Sequence, residues 1–221
     1  MLRHTSTFNE TERPLQVIDL GISAYQEVWD LQKALQARRI SGDIGDCLLL
    51  VEHEPVYTLG KNAPRDNLLK PEGNGVLVVQ TDRGGDITFH GPGQLVGYPI
   101  LDLHKYRQSV SWYMRSLEQM LIGALSDFGI SAGCKKGLTG VWVRDKKIAA
   151  LGVRISRWVT MHGFALNVNP DLSFYEGIIP CGIRDFGVTS MANLLGENPK
   201  MSTVKKAVVN HFKVYFFRKD A

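Results

Sequence analysis

Four stretches of this sequence hold residues whose type and spacing could do chemistry. The first runs from Asp82 to Gln94 and carries glycines at 84, 85, 91 and 93, with Arg83 and His90 at either end. Glycine lets a backbone approach a ligand closely and turn its N–H groups toward it. Neither a P-loop nor a dinucleotide fingerprint is present, since GK[ST] and GxGxxG are both missing, and a hairpin with Gly-rich turns would read the same way. The second stretch, Gly140 to Gly152, places Lys147 at the head of an apolar run whose Ala149, Ala150 and Gly152 leave room against a sheet face. A lysine there is ordinarily exposed at a strand end. The third, Met161 to Asn167, reads as a strand in which Gly163 admits close approach of a ligand or another backbone. The fourth is Ile179-Pro-Cys181-Gly-Ile. A cysteine between Pro and Gly sits on a bent, irregular segment, the context a thiol nucleophile needs. Cys47 lies in an apolar run and reads as a core thiol, while Cys134 falls in a polar turn beside Lys135 and Lys136.

These residues need a scaffold to position them, and the chain is long enough to build one. It has 221 residues, with 44% hydrophobic and 22% charged side chains. That is ordinary globular usage and excludes a disordered or fibrous chain. No apolar run approaches the roughly 20 residues that cross a bilayer. The net charge of +4 permits an acidic partner. It lacks the dense basic patch of a dedicated nucleic-acid binder. Three widely separated cysteines exclude a disulfide framework or a CxxC pair. The first 14 residues hold no apolar signal core. The expectation is a cytoplasmic protein of one domain over residues 1–221, with 1–14 a flexible N-terminal segment.

The periodicity predicts a strand at Leu15–Leu20 ended by Gly21, then a helix capped by Ser23 and reaching Arg39 with Tyr25, Val28, Leu31 and Leu35 on its apolar face. Strands are expected at Cys47–Glu52, Val56–Leu59, Val76–Gln80 and Leu95–Leu101, the last interrupted by Gly97 and Pro99, with Lys61–Asn74 a connection. Ser109–Phe128 reads as an amphipathic helix closed by Gly129. A meander follows at Val141–Arg144, Lys147–Ser156 and Thr160–Asn169, and a last helix capped by Ser202. This order indicates an α+β fold with a mixed sheet flanked by helices.

Taken together, six collinear motifs resemble the lipoate-biosynthesis octanoyltransferase family. They are EHEPVYTLG from Glu52, RGGDITFHGPGQL from Arg83, TGVWV from Thr139, KIAALGVR from Lys147, HGFALNVN from His162, and IIPCGI from Ile178 with GVTSM up to Met191. The resemblance covers roughly residues 15 to 195. It implies the catalytic-domain architecture of biotin and lipoate protein ligases. It also implies transfer of an octanoyl group from octanoyl-acyl carrier protein to one lysine on lipoyl domains of 2-oxoacid dehydrogenase E2 subunits or the glycine cleavage H protein. No cofactor, ATP or metal is implied, nor any nucleic acid or membrane partner. Cys181 is the implied acyl-thioester nucleophile, and Lys147 the group that lowers its pKa and moves protons. Implied substrate contacts are Arg83, Gly84, Gly85, Asp86, Ile87, Thr88, Phe89 and His90, then Ala150, Leu151 and Gly152, then Gly163, Phe164 and Ala165. The sequence departs from the family's usual residues at Glu54, Asp86, Phe89 and Met161. Three other readings compete: an ATP-dependent lipoate or biotin-type protein ligase of the same superfamily; a cysteine hydrolase with His90 or His162 as base; and a carrier-protein binding module in which Cys181 is a core thiol.

Overall fold

A computed structural model describes residues 15–61, 63–69, 75–179 and 186–217. The segment 1–14, expected to be a flexible N-terminus, lies outside the described residues. In chain order the elements are β1 (Gln16–Ser23), α1 (Tyr25–Ile40), β2 (Cys47–His53), β3 (Val56–Leu59), β4 (Leu77–Gln80), β5 (Thr88–His90) and β6 (Gln94–Ile100). Then follow α2 (Val110–Ser126), β7 (Gly133–Lys135), β8 (Leu138–Val143), β9 (Lys146–Ser156), β10 (Val159–Asn167), β11 (Gly187–Val188), α3 (Met191–Leu195) and α4 (Met201–Phe217).

The larger sheet runs β1-β2-β6-β10-β9-β8-β7, with β11 paired to β9. It is mixed: β1 is parallel to β2, β11 is parallel to β9, and the remaining pairs are antiparallel. A three-stranded sheet, β4-β3-β5, stands beside it. The continuous apolar run of β2 is explained by burial on both faces. Leu48 and Leu50 enter the main core with Leu117, Leu121, Val208 and Phe212 of α2 and α4. Leu49 and Val51 point the other way, into a cluster with Val28 of α1. Among the described residues no helix is long and apolar enough to cross a membrane.

Several local expectations are corrected. Gly21 does not end β1, which continues to Ser23 across a register shift between Asp19 and Ile22. Ala24, not Ser23, is the N-cap of α1, and the Ser23 hydroxyl donates to the Leu20 carbonyl instead. On α1 the buried face is Tyr25, Val28, Gln32, Gln36 and Arg39, and Leu31 is exposed. Two glutamines occupy it because each satisfies backbone: Gln36 Nε2 donates to the Val159 carbonyl, and Gln32 Oε1 accepts the His162 N–H. Gly97 and Pro99 lie inside an unbroken β6. A Cβ at Gly97 would sit 2.2 Å from the Phe164 ring, so glycine there makes room for a side chain of the next strand. Cys134 lies on β7 rather than in a turn, and Ser202 lies inside α4 rather than capping it. Ser109 caps α2 as expected, accepting the Trp112 N–H.

Candidate active site

A cavity of about 480 Å³ opens between the Gly-rich segment and the strands β6, β9 and β10. Lys147, Ala150, Leu151 and Gly152 line it from β9; His162, Gly163, Phe164 and Ala165 from β10; Val96 and Tyr98 from β6. Arg83 through Thr88 and His90 cover it, with Tyr25 of α1 alongside. Strand register explains why space remains here. Gly152 pairs directly with Gly163, and Ala150 with Ala165, so small residues face each other across β9 and β10. Close backbone contact depends on those glycines. A Cβ at Gly163 would lie 2.2 Å from the Gly97 oxygen, and one at Gly152 would lie 2.8 Å from the Gly84 oxygen.

The Gly152 contact yields a prediction. Gly152→Ala must lift the Gly-rich segment off β9, breaking the 3.0 Å bond from Gly84 N–H to the Val153 carbonyl. Overpacking of this kind costs about 1–3 kcal/mol. Steady-state kinetics should show kcat/KM down by about tenfold or more, since a displacement of about 1 Å in a wall that positions the substrate can cost about 10²-fold. Gly133→Ala, where a methyl meets nothing within 4 Å, should match wild type.

Thirteen of the fourteen expected contact residues line the cavity, and Phe89 does not. Thr88 and His90 point into the cavity from β5, so the period of two turns Phe89 to the opposite face. There its ring stacks on Phe174 at 4.6 Å and meets Tyr57 and Tyr175. Phe89 supports the wall from behind. The carboxylate of Asp86 is held by two donors, accepting from Asn67 Nδ2 of the preceding connection and from the Ile87 N–H.

Lys147 is buried, against the expectation for a strand-end lysine; Lys146 takes the exposed position. Its stem lies against Gly140, and its Nζ lies 4.8 Å from the centre of the Trp142 ring. Cys181, with the segment 180–185, lies outside the described residues. The chain that follows is anchored on Lys147: Val188 pairs with it, and the Thr189 N–H donates to its carbonyl at 2.9 Å.

A directed chain of buried hydrogen bonds joins the Gly-rich segment to that anchor. Arg83 Nη2 donates to the Thr58 carbonyl and hydroxyl, at 2.7 and 2.9 Å. His90 Nδ1 faces the Gln94 oxygen at 2.7 Å and must donate to it, which leaves Nε2 to accept from the Thr58 hydroxyl. Gln94 Nε2 donates to Asn167 Oδ1, and Asn167 Nδ2 to the Thr189 carbonyl. Both ring nitrogens of His90 are therefore engaged, and burial with the neighbouring His53 holds it far below the usual imidazole range. That removes His90 as a base. His162 donates through Nε2 to Asp82 Oδ1 at 2.8 Å. Its backbone is left-handed, with φ of 59°, a conformation a non-glycine residue keeps only when its surroundings enforce it. Thr58, Gln94, Asn167, Tyr25, Tyr98 and Lys61 are not marked as site residues by the sequence. The first three lie inside its motifs, but nothing in their spacing marks them as buried.

Three buried histidines give the fold a pH dependence. Burial pushes His53 and His162 down to about 4, and His90 well below its ordinary value. An unfolded imidazole titrates near about 6.5. Between those values the unfolded chain binds protons that the fold excludes. Stability is therefore complete above about pH 6.5 and is lost as pH falls toward 4, by about 1.4 kcal/mol per pH unit for each histidine. Melting temperature should drop between pH 6.5 and 4.5. A flat profile there would mean these rings are protonated in the fold.

Residues 24–213 match the family model of the lipoyl protein ligase A/B catalytic domain. The chain is 52% identical over 168 residues to an octanoyltransferase of Gloeobacter violaceus, covering 76% of this chain and 75% of that one. It is 49% identical to an octanoyltransferase of Solibacter usitatus, covering 89% and 90%. It is 43% identical to one of Cytophaga hutchinsonii, covering 93% and 94%. Among solved structures, a bipartite lipoate protein ligase of Thermoplasma acidophilum aligns with a TM-score of 0.71 at 16% identity, covering 95% of this chain and 87% of that one. The biotin protein ligase of Aquifex aeolicus aligns at 0.53 and 14% identity, covering 92% and 68%. At such identities the likeness is one of fold.

Proposed function

The chain belongs to the lipoyl protein ligase A/B catalytic domain family and is an octanoyltransferase acting in protein lipoylation; on that premise we propose that the octanoyl group passes through a thioester on Cys181, with Lys147 as its acid–base partner. The donor is octanoyl-acyl carrier protein. The acceptors are lipoyl domains of 2-oxoacid dehydrogenase E2 subunits and the glycine cleavage H protein.

In the first half-reaction the Cys181 thiolate attacks the donor thioester carbonyl. The donor C–S bond breaks, and Lys147 protonates the departing pantetheine sulfur. In the second half-reaction the acceptor lysine amine attacks the acyl-enzyme. Lys147 takes the amine proton as the amide forms and the Cys181 thiolate leaves. Two transfers through one covalent intermediate give ping-pong kinetics. The acyl chain occupies the cavity between the small residues of β9 and β10, beneath Arg83–Thr88. The observation that carries the reading is Lys147 itself, a buried amine lining the cavity and bonded through its backbone to Thr189, which closely follows Cys181. Free thiols at Cys47 and Cys134 support a reducing, cytoplasmic setting.

The ATP-dependent ligase reading differs in its reagents. Mixing the enzyme with octanoyl-acyl carrier protein and a lipoyl domain should yield the octanoylated domain without nucleotide. A requirement for ATP and free octanoate, with release of AMP, would replace the transferase reading by the ligase one.

A further inference from the structure

One buried charge takes no part in the proposed reaction. Glu118 lies on α2 among Leu117, Met120 and Leu121, and is 1% exposed. An ionised carboxylate in such a place carries a desolvation penalty of several kcal/mol unless its oxygens are matched. They are matched by three groups. Oε1 accepts the backbone N–H of Gly140 at 3.0 Å. Oε2 accepts from Arg115, one turn earlier on the same helix and 55% exposed, and from the Cys134 thiol at 3.4 Å.

The Gly140 bond matters because of what lies on Gly140. Its φ of 129° belongs to glycine's range, and a Cβ there would stand 3.1 Å from Lys147 Cε and 2.9 Å from the Ala149 oxygen. The pairing of β8 with β9 shifts register just beyond it, between Val141 and Trp142. This irregular stretch of β8 is therefore the surface on which the Lys147 stem rests, and Trp142 at its end lies against the Nζ. An irregular strand is weakly specified by its own ladder. The side-chain bond from α2 supplies the missing constraint.

We propose that Glu118 is the positioning residue for Lys147, holding through Gly140 the piece of β8 against which the lysine stem packs. This rests on the reading of Lys147 as the acid–base group. Loss of the Gly140 bond lets β8 move and the amine with it. A 1 Å displacement of a catalytic group can cost about 10²-fold in rate.

The test uses the full-length enzyme with octanoyl-acyl carrier protein and a lipoyl domain, and reads kcat, KM and the pH profile of kcat. Alongside, the acetylation rate of Lys147 by an N-hydroxysuccinimide ester is mapped by mass spectrometry, which reads the amine's placement without catalysis. Glu118→Ala should lower kcat by about 10²-fold with KM nearly unchanged, displace the pH profile, and change Lys147 labelling. Glu118→Gln keeps an oxygen for Gly140 and should restore all three. Should Glu118→Ala fail to fold, Gly140→Ala offers the same reading, because its methyl presses on the lysine stem directly. Wild-type kinetics, pH profile and labelling in a folded Glu118→Ala or Gly140→Ala enzyme would overturn the proposal, as would a Glu118→Gln enzyme as impaired as Glu118→Ala. Changed labelling with unchanged kcat would leave the positioning role standing and contradict the catalytic role of Lys147 instead.

Discussion

Cys181→Ala is expected to abolish octanoyl transfer, while Cys47→Ala and Cys134→Ala retain it. A thioester donor is opened by a thiolate, not a thiol. A cysteine of ordinary pKa, near 8.5, is only about 3% ionised at pH 7. The other two thiols are held further from ionisation. Cys47 is buried, and desolvation with the adjacent Asp46 pushes it up to about 11. Cys134 is raised by desolvation and by the Glu118 carboxylate it donates to. Neither lines the cavity. Removing an enzyme's nucleophile costs about 10⁴-fold or more in rate, so the residual transfer of Cys181→Ala should be near background. Iodoacetamide at neutral pH should alkylate Cys181 and spare Cys47. Full transfer by the Cys181 variant would remove the covalent step.

Lys147→Ala should slow both half-reactions. It removes a cation that stabilises the thiolate and the group that exchanges protons with the leaving sulfur and the incoming amine. General acid–base assistance is typically worth about 10² to 10⁴-fold. A cation's stabilisation of the thiolate adds about 1.4 kcal/mol for each unit by which the thiol pKa rises on its loss. Lys147→Arg should rescue poorly, because a guanidinium keeps the charge and cannot act as a base. Burial sharpens this expectation. At 8% exposure, with Gly140 and Trp142 against it, the site has little room for a planar fork. The measurement is the pH dependence of Cys181 alkylation together with the transfer rate, in wild type and both variants. An unchanged thiol titration and rate in Lys147→Ala would make Lys147 a structural lysine. His90 could not then take its place as base, since both of its ring nitrogens are already engaged.

The longer strands and the helices α2 and α4 are legible because their apolar patterns are strong, whereas the short strands β5, β7 and β11 are not. Cys47–His53 and Val110–Ser126 fall within two residues of where the pattern puts them. The glycines and alanines of β9 and β10 were legible as a gap, although the register that sets Gly152 opposite Gly163 is a tertiary fact. Three things escaped. The buried face of α1 is hidden in the pattern because Gln32 and Gln36 are polar, and only their backbone partners on β10 explain their burial. Phe89 lies in a motif that flanks the cavity, while its own side chain turns to the opposite face. A three-residue strand carries too little alternation to reveal which side chains turn away. Lys147 reads as a strand-end lysine, and the enclosure around it comes from the neighbouring hairpin strand β8, whose irregular pairing the pattern does not show, and from β11, some 40 residues further along the chain.

The central claim is a single covalent acyl-enzyme on Cys181. Intact-mass spectrometry after mixing the enzyme with octanoyl-acyl carrier protein, with no acceptor present, reads it directly. The account predicts a gain of one octanoyl group, about 126 Da, mapped by peptide analysis to Cys181 and lost again when a lipoyl domain is added. An enzyme that transfers the octanoyl group at full rate yet never gains that mass, or gains it on Cys47 or Cys134, would contradict the account.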